Sequence, residues 1–172
     1  MMDKPTFEEI YLSCYDRVYK IVYMRILDRE NTEDIVQEVF IKAMNAYERF
    51  DPEIASPSTW LSRIAANSVT DYLRKNAKQD IISFDEYVES GYEPGVEDKE
   101  LLNLTDENAR YAYTILKDLK DSERELLMLR YGMELSYGEI AEHIGSNEKA
   151  IAKRMERLLE KCKKIAEEQI NT

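Results

Sequence analysis

A stripe of positive charge on one predicted helix is the clearest sign of chemistry in this sequence. Between residues 149 and 164, six basic side chains fall within about 140° of a helical wheel, opposite an apolar side. They are Lys149, Lys153, Arg154, Arg157, Lys161 and Lys164. Such a helix neutralises phosphates with one face and packs with the other, which is the arrangement used to enter a DNA groove.

The residues before this helix predict how it is positioned. Ser136 and Glu139 have the spacing of a capping box, so a helix is expected to start there. Gly145 suits the left-handed residue that ends that helix, and Ser146 or Asn147 is expected to cap the next one. The pattern predicts a helix-turn-helix.

A second basic patch lies in the first half of the chain. Residues 63–78 have 4 basic and 1 acidic residues, a net charge of +3, and residues 146–164 have 7 and 3, a net charge of +4. The whole chain has a net charge of −11, much of it from residues 81–110, with 2 basic and 9 acidic residues. Because affinity for DNA scales with the phosphates neutralised, patches this small predict weak binding by the protein alone.

Apolar periodicity predicts an all-α fold of two small helical domains. Three helices are expected in residues 1–80, at about 6–27, 32–49 and from Pro57 onward, with Asn31 or Thr32 capping the second. Four are expected in residues 106–172, at about 106–119 and 122–131, followed by the helix-turn-helix; Asp121 or Ser122 with Glu125 is the expected cap of the second of these. Residues 81–105, which are acidic and contain glycine and proline, are predicted to be a flexible or lightly ordered linker.

Several classes of protein do not fit the composition. The chain has no apolar run of membrane-spanning length and no signal-peptide pattern at residues 1–11, so a cytoplasmic location is expected. Cys14 and Cys162 are interpreted as free thiols rather than as a disulfide. One histidine, no glycine-rich phosphate loop and no metal-ligand spacing favour a protein without enzymatic activity, cofactor or metal.

Two segments together resemble a known family. TEDIVQEVFIKAMNAYERFD and TWLSRIAANSVTDYLRKN resemble region two of bacterial sigma-70 family RNA polymerase sigma factors. LKDLKDSERELLMLRYGMELSYGEIAEHIGSNEKAIAKRMERLLEK resembles region four. Their order and the short acidic linker are similar to the extracytoplasmic-function (ECF) group. The resemblance implies a protein that binds core RNA polymerase and directs it to promoter DNA with −10 and −35 elements.

The resemblance assigns the polymerase contact to the second helix. The matching positions are Asp34, Gln37, Glu38 and Lys42. They project from a helix whose Ile35, Val39 and Phe40 are expected to pack inward. The alternative interpretation is an ordinary solvated helix face, which is what surface charge on a helix usually means.

The resemblance assigns the −10 element to the loop at residues 51–58 and the helix that follows. In such proteins this region holds an unstacked base, and a cationic helix helps to offset the cost of extruding it. Here Asn67 is expected to contact a base edge, and phosphates are assigned to Arg63, Arg74, Lys75 and Lys78. Trp60 is either a stacking platform or a packing residue, and packing is favoured by its apolar neighbours.

The −35 element is assigned to the last helix. Glu148, Lys149, Lys153 and Arg154 lie in its N-terminal half, which usually reaches base edges, whereas Arg157 and Lys161 are expected to contact phosphates. The alternative is an amphipathic helix whose cations pair with Glu156 and Glu160. His143 is interpreted as a surface residue.

Two functional hypotheses remain open at this point. The first is a sigma factor that reads both promoter elements. The second is a sigma-like accessory regulator that binds polymerase or an anti-sigma factor but recognises promoters poorly. The family resemblance also implies an anti-sigma partner.

Overall fold

The computed structural model describes residues 4–87 and 107–170 of the 172-residue chain, with side chains up to residue 77 in the first range. Within these ranges the chain forms seven α-helices. They are α1 (Phe7–Ile26), α2 (Arg29–Ala46), α3 (Pro57–Tyr87), α4 (Glu107–Lys117), α5 (Asp121–Leu127), α6 (Tyr137–Ile144) and α7 (Glu148–Ile170). A 3₁₀ turn (Tyr47–Arg49) follows α2, and a π-helical turn (Met128–Gly132) continues α5.

Helices α1, α2 and α3 pack on one another as an N-terminal bundle. Thr6 and Glu9 form a capping box, in which the Thr6 N–H donates to the Glu9 carboxylate at 2.7 Å. The α1 helix ends at Leu27, a left-handed residue with φ 55°. The fully buried side chains of this bundle are aliphatic and come from all three helices: Ile10, Val18, Ile21, Val22, Val36, Val39, Leu61 and Val69.

The second helix starts earlier than the sequence predicted. The cap of α2 is Asp28, whose Oδ1 accepts the Asn31 N–H at 2.8 Å, so the prediction of Asn31 or Thr32 as cap was wrong. Aspartate accepts well at the first exposed turn, where a carboxylate also matches the helix dipole. Thr32 is fully buried inside the helix and is not available as a cap.

The third helix is longer than predicted. Ser56 starts it as expected, with its Oγ accepting the Thr59 N–H at 3.2 Å. The backbone then remains helical to Tyr87, so that the first seven residues of the predicted linker, 81–87, belong to the helix. The predicted flexible character of the linker concerns mainly residues 88–105, which lie outside the described ranges.

The C-terminal bundle comprises α4 to α7. Its α5 helix is capped at Lys120, whose backbone N–H donates to the Glu123 carboxylate at 2.7 Å. The predicted cap, Asp121 or Ser122 with Glu125, was therefore wrong by one or two residues, because the reciprocal acceptor is Glu123. Three helices followed by four agree with the predicted all-α fold over the described residues. In those ranges no helix combines the length and the apolar character needed to cross a bilayer.

Candidate functional site

The helix-turn-helix has the local geometry that the sequence predicted. Ser136 Oγ accepts the Glu139 N–H at 3.2 Å, and the Glu139 carboxylate accepts the Ser136 N–H at 2.8 Å. The hydrogen bonds from the backbone and the hydroxyl of Ser136, aided by the charge of Arg63, hold the pKa of Glu139 below its ordinary value. Gly145 leaves α6 with φ 75°, and Asn147 Oδ1 accepts the Ala150 N–H at 2.9 Å at the start of α7. The caps fix the turn.

Helix α7 has one buried and one exposed face. Ile151, Met155 and Leu158 are buried and belong to the core that also contains Ile140 and Ala141 of α6. Of the predicted −35 residues, the first five are exposed on the other face: Glu148, Lys149, Lys153, Arg154 and Arg157. The structure therefore brings these five together on a surface that a DNA groove could receive.

Lys161, the sixth predicted −35 residue, is engaged within the protein. Its Nζ donates to Glu123 Oε2 of α5 at 2.7 Å, and both side chains are partly buried. Burial acts to raise the pKa of Glu123, but the hydrogen bonds from Lys161 and from the Lys120 N–H outweigh it and lower the pKa overall. This ion pair fixes the C-terminal half of α7 to α5. Nearby, Lys164 pairs with Glu160 at 3.7 Å, as the amphipathic-helix alternative expected for part of the stripe.

A second cationic surface lies along α3. Arg63, Asn67, Arg74 and Lys75 are all exposed, and Arg74 lies 3.6 Å from Asp71 in the preceding turn. Lys78 lies on the same helix, but its side chain is outside the described part of the structure. These positions occupy four turns of one helix, so they could follow a nucleic-acid backbone.

The loop before α3 is held by aromatic packing. Trp60 is half-buried and stacks on Phe50 with ring centroids 4.5 Å apart and an interplanar angle of 26°. This contact favours the packing interpretation of Trp60 over the stacking platform. The sequence analysis missed Ile54, which is 82% exposed in this loop. The sequence did contain an indication: Ile54 is an aliphatic residue that belongs to no predicted helix and lies between acidic residues and a proline.

The predicted polymerase surface lies on α2. Asp34, Gln37 and Glu38 are exposed, whereas Lys42 is half-buried. Lys42 Nζ contacts Glu38 Oε1 at 2.5 Å and donates to Ser68 Oγ of α3 at 3.0 Å, so it joins two helices. The structure thus brings three of the four residues to one exposed face and gives the fourth a contact with both Glu38 and α3.

An apolar groove that the sequence analysis did not identify adjoins this face. It has a volume of about 430 Å³, lies between α1 and α2, and is lined by Tyr11, Tyr15, Glu33, Val36, Gln37, Phe40 and Ile41. Burial raises the pKa of Tyr15, and Tyr11, Glu33 and Asp16 add to that effect. Ile41, which lines the groove, and Met44, one turn farther along α2, are both more than half exposed. In the sequence these two residues looked like ordinary helix positions, because the periodicity of α2 does not say which apolar residues remain uncovered.

Fold and site together define a class of protein. An all-helical arrangement over the described residues, with a helix-turn-helix in the C-terminal bundle and a second cationic helix in the N-terminal bundle, is typical of transcription proteins that contact DNA at two places.

The comparison with protein families makes this class specific. The family model for sigma-70 region 2 matches residues 10–79, and the model for sigma-70 region 4 matches residues 109–162. The chain belongs to the sigma-70 family of RNA polymerase sigma factors, and its curated relatives are of the ECF type. The family resemblance seen in the sequence is thereby confirmed.

Individual relatives agree along most of the chain. The ECF RNA polymerase sigma factor SigX of Bacillus subtilis is 28% identical over 169 residues, covering 94% of this chain and 84% of that protein. SigM of the same organism is 31% identical, covering 81% of each. The sigma factor RpoE of Bartonella quintana, solved in complex with the anti-sigma factor NepR, superposes with a TM-score of 0.67 at 18% identity, covering 94% of this chain and 96% of that one. This last likeness shows the shared fold.

Proposed function

We propose that this sigma factor directs core RNA polymerase to promoters through three separate surfaces, one for the enzyme and two for DNA. The supporting observation is that one chain presents two exposed cationic helix faces, on α3 and on α7, together with an exposed acidic face on α2. The role is one of binding and positioning, without catalysis by this chain, and it is carried out in the cytoplasm. We assign residues 1–80 to polymerase and the −10 element, residues 106–172 to the −35 element, and residues 81–105 to a linker.

The upstream element is assigned to α7. Glu148, Lys149, Lys153 and Arg154 lie in its first two turns, where side chains reach base edges, and Arg157 faces phosphate. Lys and Arg pair with guanine acceptors, whereas a carboxylate accepts from a cytosine amino group. We assign Lys161 a positioning role instead of a phosphate contact, because its ammonium already binds Glu123.

The downstream element is assigned to α3. Arg63, Arg74 and Lys75, with Lys78 farther along the helix, lie along the path of the backbone, and Asn67 offers an amide to a base edge. An unstacked strand suits this surface, since phosphates and one flipped base are recognised without a groove. The small number of cations is consistent with a protein that contacts DNA only when polymerase holds it there.

The polymerase contact is assigned to Asp34, Gln37 and Glu38, with Lys42 positioned between α2 and α3. An acidic face of this kind fits a cationic surface on the enzyme, which would also raise the rate of association. An anti-sigma factor is proposed as a further partner, because the fold is shared with a sigma factor solved together with one.

Run-off transcription with core polymerase and a library of randomised promoters tests the upstream assignment. Lys153→Ala and Arg154→Ala are expected to relax the preference at the −35 positions by about 5–150-fold, since a good base contact supplies about 1–3 kcal/mol of discrimination. Co-purification with core polymerase should be unchanged. The matched control is Lys163→Ala, an exposed cation on the same helix that lies near Glu167.

The possible outcomes separate the assignments. An upstream preference that persists in both variants contradicts the assignment of base reading to Lys153 and Arg154. A wild-type chain that binds core polymerase but never selects a promoter contradicts the proposed function and supports an accessory role. Failure of the wild-type chain to bind core polymerase contradicts the polymerase surface as well.

A further inference from the structure

Residues 4–7, which we call the N-terminal segment, pack on the turn that ends α2. Lys4 Nζ donates to the Tyr47 carbonyl at 2.8 Å and to the Glu48 carbonyl at 3.3 Å. The last turn of α2 has the sequence AMNA and contains no basic residue. Carbonyls at the end of a helix lack helical partners and carry the negative end of its dipole, so an ammonium stabilises them. Lys4 supplies this cation from 43 residues away in the sequence.

Aromatic rings contribute to the same contact. The Lys4 ammonium lies 4.4 Å from the centre of the Tyr47 ring and 6.0 Å from that of the Phe50 ring, within the range of a cation–π interaction. The Tyr47 hydroxyl donates to the Pro5 carbonyl at 2.8 Å. Phe7, the first residue of α1, meets the Tyr47 ring edge to face, with centroids 5.8 Å apart. The N-terminal segment is therefore joined to the end of α2 by charge, hydrogen bonds and ring packing together.

The end of α2 continues into the loop that precedes α3. The Phe50 N–H donates to the Tyr47 carbonyl at 3.0 Å, and this is the same oxygen that accepts from Lys4. Phe50 is only 5% exposed, and its ring stacks on that of Trp60 in the first turn of α3. The loop at residues 51–56 is consequently fixed at both ends, by the N-terminal segment through Phe50 on one side and by α3 on the other.

Within this loop the backbone is ordered by one aspartate. Asp51 Oδ1 accepts the Glu53 N–H at 2.9 Å. The Asp51 carbonyl accepts the N–H groups of Ile54 and Ala55 at 3.2 and 3.3 Å. These bonds fix the backbone at Ile54, although its side chain is 82% exposed and packs on little of the protein. An apolar side chain held outward beside a cationic helix is suited to contact an unstacked base.

We propose that Lys4 is a positioning residue for the −10 element: the N-terminal segment fixes the loop at residues 51–56, and the fixed loop holds Ile54 against the promoter strand. The inference rests on the proposed function, which assigns the downstream element to α3. Without the Lys4 ammonium, the carbonyls that end α2 lose this donor to water, and the loop takes up more orientations. The orientation that contacts the base is then less populated, which lowers the apparent affinity for the −10 element by the same fraction.

Amide hydrogen exchange of the full chain, measured by NMR, tests the contact without DNA or polymerase. Lys4→Met keeps the aliphatic length of the side chain and removes its donors. It should speed exchange by about three- to tenfold, the effect of losing one net hydrogen bond, at the amides of Phe50, Ile54 and Ala55. Lys4→Arg keeps a cationic donor and should restore the wild-type rates. Lys20→Met, at an exposed cation on α1, is the matched control and should leave them unchanged.

Run-off transcription with core polymerase tests the consequence for promoter choice. One pair of promoters differs only in the −10 element and a second pair only in the −35 element, so that each pair gives a ratio of initiation. Lys4→Met should lower the −10 ratio by about three- to tenfold and leave the −35 ratio within about twofold of wild type. Lys4→Arg should restore the −10 ratio. If Lys4 has only a structural role, initiation falls alike at all four promoters and neither ratio changes, which overturns the proposal.

A second variant acts on the same contact from the side of α2. Tyr47→Phe removes only the hydroxyl that donates to Pro5 and keeps the ring, so it should act in the same direction as Lys4→Met but more weakly. Unchanged loop exchange in both folded variants overturns the role of the N-terminal segment, and faster exchange with an unchanged −10 ratio overturns the positioning of Ile54. If the wild type prefers no −10 element, the proposed function fails and the positioning role with it, while the exchange rates still decide whether the N-terminal segment fixes the loop.

Discussion

The two bundles differ in the lengths of their helices and in the interactions that hold those helices together. The N-terminal bundle has helices of 20, 18 and 31 residues, whereas those of the C-terminal bundle have 11, 7, 8 and 23. Short helices have proportionally more ends, and each end leaves backbone groups without helical partners. In the C-terminal bundle arginines bind carbonyls at the ends and connections of these helices: Arg124 Nη1 donates to the Leu116 carbonyl in the last turn of α4 at 3.3 Å and to the Leu119 carbonyl at 2.8 Å, and Arg130 Nη1 donates to the Leu135 carbonyl before α6 at 2.9 Å.

Because of this difference, the proposed DNA-binding surfaces on α3 and α7 are held in place by different kinds of interaction. The α3 surface rests on a broad aliphatic core, so its geometry depends mainly on apolar packing. The α7 surface rests on fewer buried apolar side chains, together with caps and charged side chains, so its geometry depends more on hydrogen bonds. Substitutions that remove one kind of interaction should therefore affect the two surfaces unequally.

The largest expected effect comes from matched core substitutions. Leu61→Ala in α3 and Ile151→Ala in α7 each remove a fully buried side chain and should each cost about 2–5 kcal/mol. Because fewer buried side chains come from the C-terminal bundle, Ile151→Ala should expose α5 to α7 to amide hydrogen exchange while α2 and α3 stay protected. Leu61→Ala should increase hydrogen exchange in the N-terminal bundle, but with less local unfolding than Ile151→Ala causes in the C-terminal bundle.

Hydrogen exchange read by mass spectrometry resolves the two bundles within one sample. A substitution at an exposed site, Glu156→Ala, serves as the control on α7. Equal loss of protection in both bundles from either variant would contradict this comparison, since the chain would then unfold as a single unit.

A smaller effect is expected at the two capping boxes, which have the same chemistry in different settings. Thr6→Ala and Ser136→Ala should each cost about 1 kcal/mol. In α1 the loss should appear as fraying of the first turn of a well-packed helix. In α6, with only eight residues, it should also tilt α7 and reduce initiation that depends on the −35 element.

Exchange at the first helical turn measures the cap, and initiation at promoters with and without a −35 element measures its consequence. Ser136→Thr, which retains the acceptor hydroxyl, is the control. An equal loss of −35-dependent initiation from Thr6→Ala would mean that a change at α1 reaches α6 through the packing between the two bundles.

Much of this architecture could be predicted from sequence, for reasons that are local. Ser136, Gly145 and Asn147 specify a turn by their own hydrogen bonds and backbone preferences, so the helix-turn-helix was predicted at the right residues. Apolar periodicity likewise located the buried face of α7. The cap of α2, Asp28, was not predicted, because Asn31 and Thr32 follow within four residues and apolar periodicity does not choose among the three polar side chains.

Contacts between distant segments could not be predicted in this way. Lys161 has the wheel position of a phosphate contact, and only the packing of α5 shows that Glu123 is its partner. Arg17 and Arg25 looked like ordinary basic residues of a first helix, because nothing near them in sequence reports the carbonyls of Asp121 and Gly132. These contacts between the two bundles are therefore visible only in the three-dimensional structure.

The smallest expected effect is a dependence on acid that belongs to one bundle. The pKa of Glu123 is lowered in the folded chain, so its pairing with Lys161 stabilises the C-terminal bundle above the ordinary glutamate value of 4.5 and is lost as pH falls below it. The pair is expected to contribute about 0.5–1 kcal/mol. Between pH 5 and pH 3, α5 and α7 should lose exchange protection faster in the wild type than in Glu123→Gln. The control is Glu156→Gln at an exposed site, which should lose exchange protection as fast as the wild type. If Glu123→Gln also loses protection as fast as the wild type, then caps and arginines, rather than this ion pair, fix α7 on α5.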